Sequence, residues 1–205
     1  GNVEKSLKSI ETVTELCLKD NKIPLFLGGE HLVSYPIVKK VAEKYPDLIV
    51  LHFDAHADLR DSFFGEKLSH ATVLRRISEH LMDKHIYHFG IRSGVKEEFV
   101  YAKEHTHMFP IEVKAPFLKV LQDIKDKPVY ITLDIDVVDP AFAPGTGTPE
   151  PGGCSSQEIL DVVGHFKELN VVGFDLVEVS PANDLSDKTA LLAAKILREL
   201  IIGLG

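Results

Sequence analysis

The sequence predicts an α/β fold in which helices cover both faces of a mainly parallel sheet. Short apolar runs, rich in Val, Ile, Leu and Phe, alternate along the chain with segments whose apolar residues recur every three or four positions. The first pattern is typical of buried strands and the second of amphipathic helices. Strands that are apolar on both faces and separated by helices indicate a parallel sheet covered on both sides.

Each element is predicted from its own stretch of sequence. The first helix takes its apolar face from Val3, Leu7, Ile10, Val13 and Cys17 and ends near residue 20. By the same spacing, further helices are predicted near residues 35–43, 71–81, 96–104, 117–125, 156–169 and 188–202. Between them, apolar runs predict buried strands at residues 23–29, 48–53, 85–91, 108–111, 129–133 and 171–179.

Length, charge and cysteine content narrow the function classes. The 205 residues suit one α/β domain, and a net charge of −8 disfavours a nucleic-acid partner and suits a cationic substrate. Only two cysteines, Cys17 and Cys154, are present, which indicates a reducing compartment. No apolar stretch approaches the roughly 20 residues of a membrane helix. The first residues lack the layout of a signal peptide, so we expect a cytoplasmic protein that binds no membrane.

Acidic residues and histidines stand where two predicted strands end. Asp54, His56 and Asp58 are spaced two residues apart, so on an extended backbone they project from the same face, and Asp134 and Asp136 repeat the pattern. Buried carboxylates this close together repel one another unless metal ions neutralise them. A solvated acidic surface is the alternative. Because these acids interrupt apolar strands, the pattern favours metal binding.

Parallel α/β sheets bind their ligands at the carboxyl ends of the strands. His31 and Glu178 also follow predicted strands, so we expect them at the same edge. Taken alone, His31 is also typical of a capping or packing group, and Glu178 of an ion pair elsewhere in the fold. His52 shares the face of Asp54 but lies deeper in its strand, and we expect it to be a hydrogen-bonded core residue.

The one long irregular segment, residues 139–153, holds four Pro and four Gly. Loops of this length inside compact domains are usually functional or disordered. The alternation of rigid Pro with permissive Gly favours a fixed, unusual path. The segment lacks the Gly-Lys-Ser/Thr ending of a phosphate-binding loop.

Five segments at these strand ends resemble the ureohydrolase (arginase/agmatinase) family. They are Gly-Gly-Glu-His (28–31), Phe-Asp-Ala-His-Ala-Asp (53–58), Ser-His (69–70), Leu-Asp-Ile-Asp-Val-Val-Asp-Pro (133–140) and Gly-Phe-Asp-Leu-Val-Glu (173–178). The resemblance spans most of the chain and is strongest to the bacterial and archaeal members that hydrolyse agmatine. It implies a three-layer α/β/α, arginase-like fold and a metal-dependent hydrolase with two Mn²⁺ ions per subunit.

The resemblance also implies a role for each site residue. His31 and Asp58 would bind one manganese only, His56 and Asp136 the other only, while Asp54 and Asp134 would bridge the two ions. Glu178 would hold the guanidinium group of the substrate, and His70 would relay protons to the departing amine, as suits an imidazole near neutral pH. Without the resemblance, Ser69 and His70 are more typical of a helix N-terminal cap.

Agmatine is the leading substrate, cleaved to putrescine and urea in polyamine (putrescine and spermidine) biosynthesis. Residues 58–70 lack the Asn- and Ser/Thr-rich loop with which arginases grip their amino acid. Arginine is therefore less favoured, and aminopropylagmatine, guanidinobutyrate and formiminoglutamate remain alternatives. Phe63 and Phe64 either line an apolar channel or pack under this loop.

The resemblance further implies a homo-oligomer, a trimer or hexamer. We expect residues 1–205 to form a single ureohydrolase domain that lacks the family's N-terminal strands. The function class least favoured by the sequence is a metal-binding subunit without activity, because all six ligand positions, His70 and Glu178 carry the residues that catalysis requires.

Overall fold

Six parallel strands form the one sheet of residues 2–205, the part of the chain that this computed structural model describes. The strands are β1 Leu25–Leu27, β2 Ile49–Phe53, β3 Ile86–Ile91, β4 His107–Pro110, β5 Pro128–Asp134 and β6 Asn170–Val177. Their order across the sheet is β1-β6-β5-β2-β3-β4, and every neighbouring pair is parallel. The prediction of a mainly parallel sheet is confirmed.

Seven α-helices connect or flank these strands. They are α1 Val3–Lys19, α2 Ser34–Lys44, α3 Val73–Ser78, α4 Lys96–His105, α5 Lys114–Ile124, α6 Ser156–Gly164 and α7 Lys188–Leu204. Short 3-10 turns occur at His31–Val33, His70–Thr72, Ile135–Val137 and Phe166–Glu168. None of the helices in the described part of the chain is long and apolar enough to cross a membrane.

Apolar side chains pack on both faces of the sheet. On β2, Leu51 and Phe53 belong to a cluster that includes residues of α5, α6 and α7, whereas Val50 belongs to a second cluster with residues of α2 and α3. Successive side chains of a strand point to opposite faces, so these two clusters are the two halves of a three-layer α/β/α core. The predicted architecture is confirmed, and the apolar strand sequences are explained by burial on both sides.

Four elements differ from their predictions, among them the edge strand β4, in which no residue is fully buried. Strand β1 was predicted to be buried, but Leu25 and Leu27 are 37% and 64% exposed because β1 is the edge strand of the described sheet and pairs only with β6. Helix α3 ends early at Ser78, whose hydroxyl donates to the Arg75 carbonyl (2.7 Å) in competition with helix continuation. The helix predicted at 156–169 ends at Gly164, which has the weakest helix propensity after Pro.

The Pro- and Gly-rich segment 139–153 follows the fixed path that the sequence predicts. The Asp139 carboxylate accepts hydrogen bonds from the backbone of Ala141, Gly152 and Gly153, so it ties the two ends of the loop together. The Arg92 guanidinium donates to the Glu150 carbonyl and to the Asp136 carbonyl (2.7 and 2.6 Å). The loop is therefore anchored beside the carboxyl end of β5.

Candidate metal centre

The strand order explains why distant segments meet. Strands β1, β6, β5 and β2 are consecutive in the sheet, and all run in the same direction. Their carboxyl ends lead to His31, Glu178, Asp134 and Asp54 respectively. The structure therefore brings these predicted site residues together at one edge of the sheet, where parallel sheets bind their ligands.

Asp54 lies at the centre of this cluster and is fully buried. Its Oδ1 accepts a hydrogen bond from the His56 backbone (2.6 Å), and its Oδ2 accepts one from His52 Nε2 (2.8 Å). Oδ2 also lies 3.0 Å from His31 Nδ1, whereas Oδ1 lies 3.5 Å from His56 Nδ1. Each oxygen also keeps a free lone pair. Because the two oxygens lie near different histidines, the one carboxylate can serve two separate groups of ligand atoms.

The first group surrounds His31. Its Nδ1 lies 3.2 Å from Asp58 Oδ2 and 3.4 Å from Asp134 Oδ2, and all three side chains are buried. The second group pairs His56 Nδ1 with Asp136 Oδ2 at 3.0 Å. In each of two sets, the ligand atoms lie within 4.8 Å of one another: His31, His52, Asp54 and Asp58 in one, and Asp54, His56 and Asp136 in the other. Asp54 is common to both sets.

Asp134 Oδ2 faces His31 of the first group. Its Oδ1 accepts a hydrogen bond from the Asp136 backbone (2.9 Å), which caps the 3-10 turn that follows β5. The Ala55 backbone in turn donates to Asp136 Oδ1 (3.0 Å). These bonds hold both carboxylates in the cluster. The bridging role of Asp134 stays a prediction.

Two buried atoms of the cluster are placed to act as ligands of a cation. Within the described chain, His31 Nδ1 and Asp136 Oδ2 have no hydrogen-bond partner, although carboxylate oxygens or imidazole nitrogens lie close to both. The opposite nitrogen of His31, Nε2, donates to Thr132 Oγ1 (2.9 Å), which donates to Asp175 Oδ1 (2.7 Å). Nδ1 is therefore the nitrogen that faces the carboxylates, and a metal ion bound there would take the place of its proton.

Electrostatics leads to the same conclusion. Burial, reinforced by the nearby Asp54 charge, raises the pKa of Asp58 to about 7 and that of Asp136 to about 6. Burial also raises the pKa of Asp134 well above its usual value. Burial alone would lower the pKa of His56, but the carboxylates of Asp136 and Asp54 outweigh it and raise this pKa to about 11. The metal-free cluster thus retains protons that metal ions would displace.

Two site residues have a left-handed backbone. Asp58 has a φ of 53° and Glu178 a φ of 63°, values that cost a non-glycine residue about 1–3 kcal/mol. The Asp58 carbonyl accepts hydrogen bonds from the backbone of Leu74 (3.0 Å) and Arg75 (3.2 Å), and the Glu178 backbone donates to the Gly29 carbonyl (2.9 Å). These bonds hold the turns that aim both carboxylates into the site.

A cavity of about 240 Å³ adjoins the cluster. The predicted site residues on its wall are His31, His56, Asp58, Asp134, Glu178 and His70.

His70 is exposed, and its ring lies 5.4 Å from that of Phe63, edge to face. The N-terminal cap alternative also describes this segment correctly, because the Ser69 backbone donates to Thr72 Oγ1 (3.1 Å). Phe63 lines the cavity, whereas Phe64 is 92% exposed.

Several polar residues near the site were not predicted. Thr132 and Asp175 form the hydrogen-bonded chain behind His31, and their signal is that each interrupts an apolar strand. Arg60 lies on the cavity wall with its Nε 3.6 Å from Glu98. His52 is the buried, hydrogen-bonded residue that the sequence predicts, but its contact with His88 was not foreseen.

Comparison with known proteins agrees with this geometry. The arginase family profile matches residues 1–203. The chain is 50% identical to an agmatinase of Bacillus anthracis over 206 residues, which is 99% of this chain and 71% of that protein. It is 40% identical to the human mitochondrial guanidino acid hydrolase, covering 99% of this chain and 61% of that protein.

Among solved structures, a Clostridium difficile protein with a provisional agmatinase assignment superimposes with a TM-score of 0.95 and 44% identity. The match covers 100% of this chain and 75% of that one. The fold, the cluster of histidines and aspartates at the strand ends, and these similarities lead to one conclusion: the chain belongs to the arginase family and is a ureohydrolase.

Proposed function

We propose that the protein hydrolyses agmatine to putrescine and urea with two Mn²⁺ ions. The observation that carries the proposal is the position of Asp54, which directs one carboxylate oxygen at each of two groups of potential ligands. The identity to the Bacillus protein named agmatinase supports the choice of substrate.

Six residues would hold the metal ions, in the roles predicted from the sequence. His31 and Asp58 would serve one ion, His56 and Asp136 the other, and Asp54 and Asp134 both. Imidazole nitrogens among many carboxylate oxygens suit manganese better than a metal that prefers thiolates. When bound, such a metal pair supplies an activated water as nucleophile at neutral pH.

Glu178 would hold the guanidinium group of the substrate. Its Oε1 is oriented by the His31 backbone N–H at 2.8 Å, which fixes the carboxylate on the cavity wall beside the proposed metal ligands. A carboxylate and a guanidinium form paired hydrogen bonds in one plane, so Glu178 would set the orientation of the carbon that is attacked.

His70 would pass a proton to the departing amine. It lines the same cavity as Glu178 and is also exposed to solvent, so it can exchange protons with water between turnovers. Phe63, against which His70 packs, offers an apolar surface to the methylene chain of the substrate.

A urea-release assay in Mn²⁺ tests this function directly. Agmatine, 4-guanidinobutyrate, arginine and formiminoglutamate are compared, and agmatine is expected to give the highest kcat/KM. Arginine should be poor because its carboxylate would enter an acidic site without a matching clamp. Equal or faster hydrolysis of arginine would indicate that the protein acts as an arginase. Release of formamide from formiminoglutamate would indicate a different reaction.

A guanidino acid is the second candidate substrate. Arg60 lies on the cavity wall, with its guanidinium 5.0 Å from the centre of the Phe63 ring, and a cation there would attract a substrate carboxylate. Glu98, which is 3.6 Å from Arg60, partly offsets this charge and makes agmatine the first choice. An Arg60→Leu variant should lose activity selectively toward 4-guanidinobutyrate if that acid is the natural substrate, and should retain it toward agmatine otherwise.

We further propose that the enzyme acts in the cytoplasm, in polyamine biosynthesis, as a homo-oligomer (a trimer or hexamer). Light scattering of the purified protein would measure the mass of the assembly. A monomer that retained full activity would contradict the oligomeric part of the proposal alone.

A further inference from the structure

We propose that His52 and His88 are positioning residues that orient the shared carboxylate of Asp54 for metal binding. The inference rests on the proposed metal-dependent function and adds two residues to it. Both imidazoles are fully buried, one on β2 and one on the neighbouring β3, where they are register partners. The roles assigned above to the site residues do not explain why two histidines occupy this buried position.

The two rings form a directed chain of hydrogen bonds. His52 Nε2 lies 2.8 Å from Asp54 Oδ2, and His52 Nδ1 lies 2.8 Å from His88 Nδ1. A carboxylate oxygen can only accept, so His52 Nε2 carries the proton and donates it to Asp54. A neutral imidazole has one N–H group, so His52 Nδ1 accepts from His88 Nδ1–H.

The remaining atom agrees with this assignment. His88 Nε2 is buried and has no hydrogen-bond partner in the described chain. In the proposed arrangement it carries only a lone pair. The reverse arrangement would bury an N–H group without an acceptor, which costs more than an unused lone pair. The geometry therefore selects one tautomer for each histidine.

The consequence is a fixed orientation for Asp54. His52 holds Oδ2, while the His56 backbone holds Oδ1 at 2.6 Å, so both oxygens are restrained and each retains a lone pair toward a different group of ligands. His52 lies close enough to be counted among the ligand atoms of the first set. Both of its nitrogens are engaged, however, so it acts on Asp54 and not on the metal.

Metal affinity provides the test. Titration calorimetry measures Mn²⁺ binding to the metal-free full chain in the wild type and in His52→Leu and His52→Gln variants. Loss of the donor in His52→Leu should weaken binding by roughly 10- to 100-fold. The glutamine amide can replace Nε2–H, so His52→Gln should bind more tightly than His52→Leu. A Leu51→Ala variant is the matched control, because Leu51 is equally buried on the same strand but faces the opposite layer.

The second histidine and the tautomers give independent measurements. His88→Leu should weaken Mn²⁺ binding, and His88→Asn, which keeps a donor near Nδ1, should restore part of it. Nitrogen NMR of isotope-labelled histidine should show His52 protonated at Nε2 and His88 at Nδ1. The reversed tautomers, or wild-type affinity in both His52→Leu and His88→Leu, would overturn the inference.

The measurements distinguish failure of the proposed function from failure of the positioning role. If wild-type protein binds no divalent metal, the proposed function fails and the positioning role fails with it. If the wild type binds two ions and hydrolyses agmatine while the variants bind equally well, only the positioning role is wrong. Thermal unfolding shows whether His52→Leu is folded. If it is not, the Mn²⁺ affinities of His52→Gln and the wild type are compared, together with those of His88→Leu and His88→Asn.

Discussion

Glu178 Oε1 accepts a 2.8 Å hydrogen bond from the backbone N–H of His31, although 147 residues separate the two in sequence. This bond joins the carboxylate proposed to hold the substrate to a proposed metal ligand. Strands β1 and β6 are neighbours, and the carboxyl end of each leads to one of these two residues. Substrate orientation and metal position are therefore set by a single pair of adjacent strands.

Replacing Asp54 should remove more metal than replacing Asp58. Asp54 faces both groups of ligands and Asp58 only the first, so Asp54→Asn should lose both ions and Asp58→Asn chiefly one. Elemental analysis of purified, Mn²⁺-loaded variants measures this difference. Two ions per chain with normal turnover in Asp54→Asn would disprove its bridging role, and the same result in Asp134→Asn would disprove the bridge predicted there.

Glu178→Gln should impair both substrate binding and turnover. The substitution keeps the size of the side chain but removes the charge that pairs with the guanidinium, so KM should rise and kcat should fall together. Steady-state kinetics with agmatine, at full metal occupancy, measures both constants. Unchanged KM and kcat would show that Glu178 does not hold the substrate and that its role is limited to the hydrogen bond with the His31 backbone.

His70→Ala should slow the reaction without releasing metal. A general acid of this kind contributes roughly 10²- to 10⁴-fold, so kcat should fall in that range while the Mn²⁺ content stays at the wild-type value. Small imidazole-type bases added to the assay should restore part of the rate to this variant and none to Glu178→Gln. Loss of metal from His70→Ala would instead identify His70 as a ligand or a structural residue.

Metal affinity should rise with pH. The pKa of Asp58, raised to about 7 by burial and Asp54, and that of His56, raised to about 11 by Asp136 and Asp54 against burial, leave both groups protonated in metal-free protein at low pH. Ligands must lose these protons to bind metal, so binding releases protons and tightens as the pH rises through about 7, where Asp58 loses its proton, and further toward about 11, where His56 loses its own. Calorimetry in buffers of different ionisation enthalpy counts the protons. Binding that neither releases protons nor depends on pH would contradict the predicted charge state.

Gly145→Ala should destabilise the fold. A Cβ atom at this position would collide with Cβ of Asp184, and the Gly145 backbone, which donates to Thr189 Oγ1 (2.7 Å), cannot move away freely. We therefore expect a loss of about 1–3 kcal/mol in the free energy of unfolding. Urea denaturation measures the change. Gly164→Ala is the control, since a Cβ there meets nothing within 4 Å, and it should be neutral or stabilising.

The sequence determined the layers of the fold and the edge of the sheet at which the site lies. Short apolar runs separated by amphipathic helices predict strands buried on both faces, and a spacing of two residues places Asp54, His56 and Asp58 on a common face. These are local properties of the backbone. The predicted burial failed at the two edge strands, β1 and β4, because the exposure of a strand depends on how many neighbours it has.

Only the tertiary structure decided which strands are adjacent, and therefore which atoms meet. The order β1-β6-β5-β2 places His31 against Glu178, and the pairing of β2 with β3 places His52 against His88. No spacing along the chain encodes such contacts, because hydrogen bonds between side chains of different strands depend on strand order and register. The residue types of the site were thus readable in the sequence, while the orientation of Asp54 and the buried partners that enforce it were not.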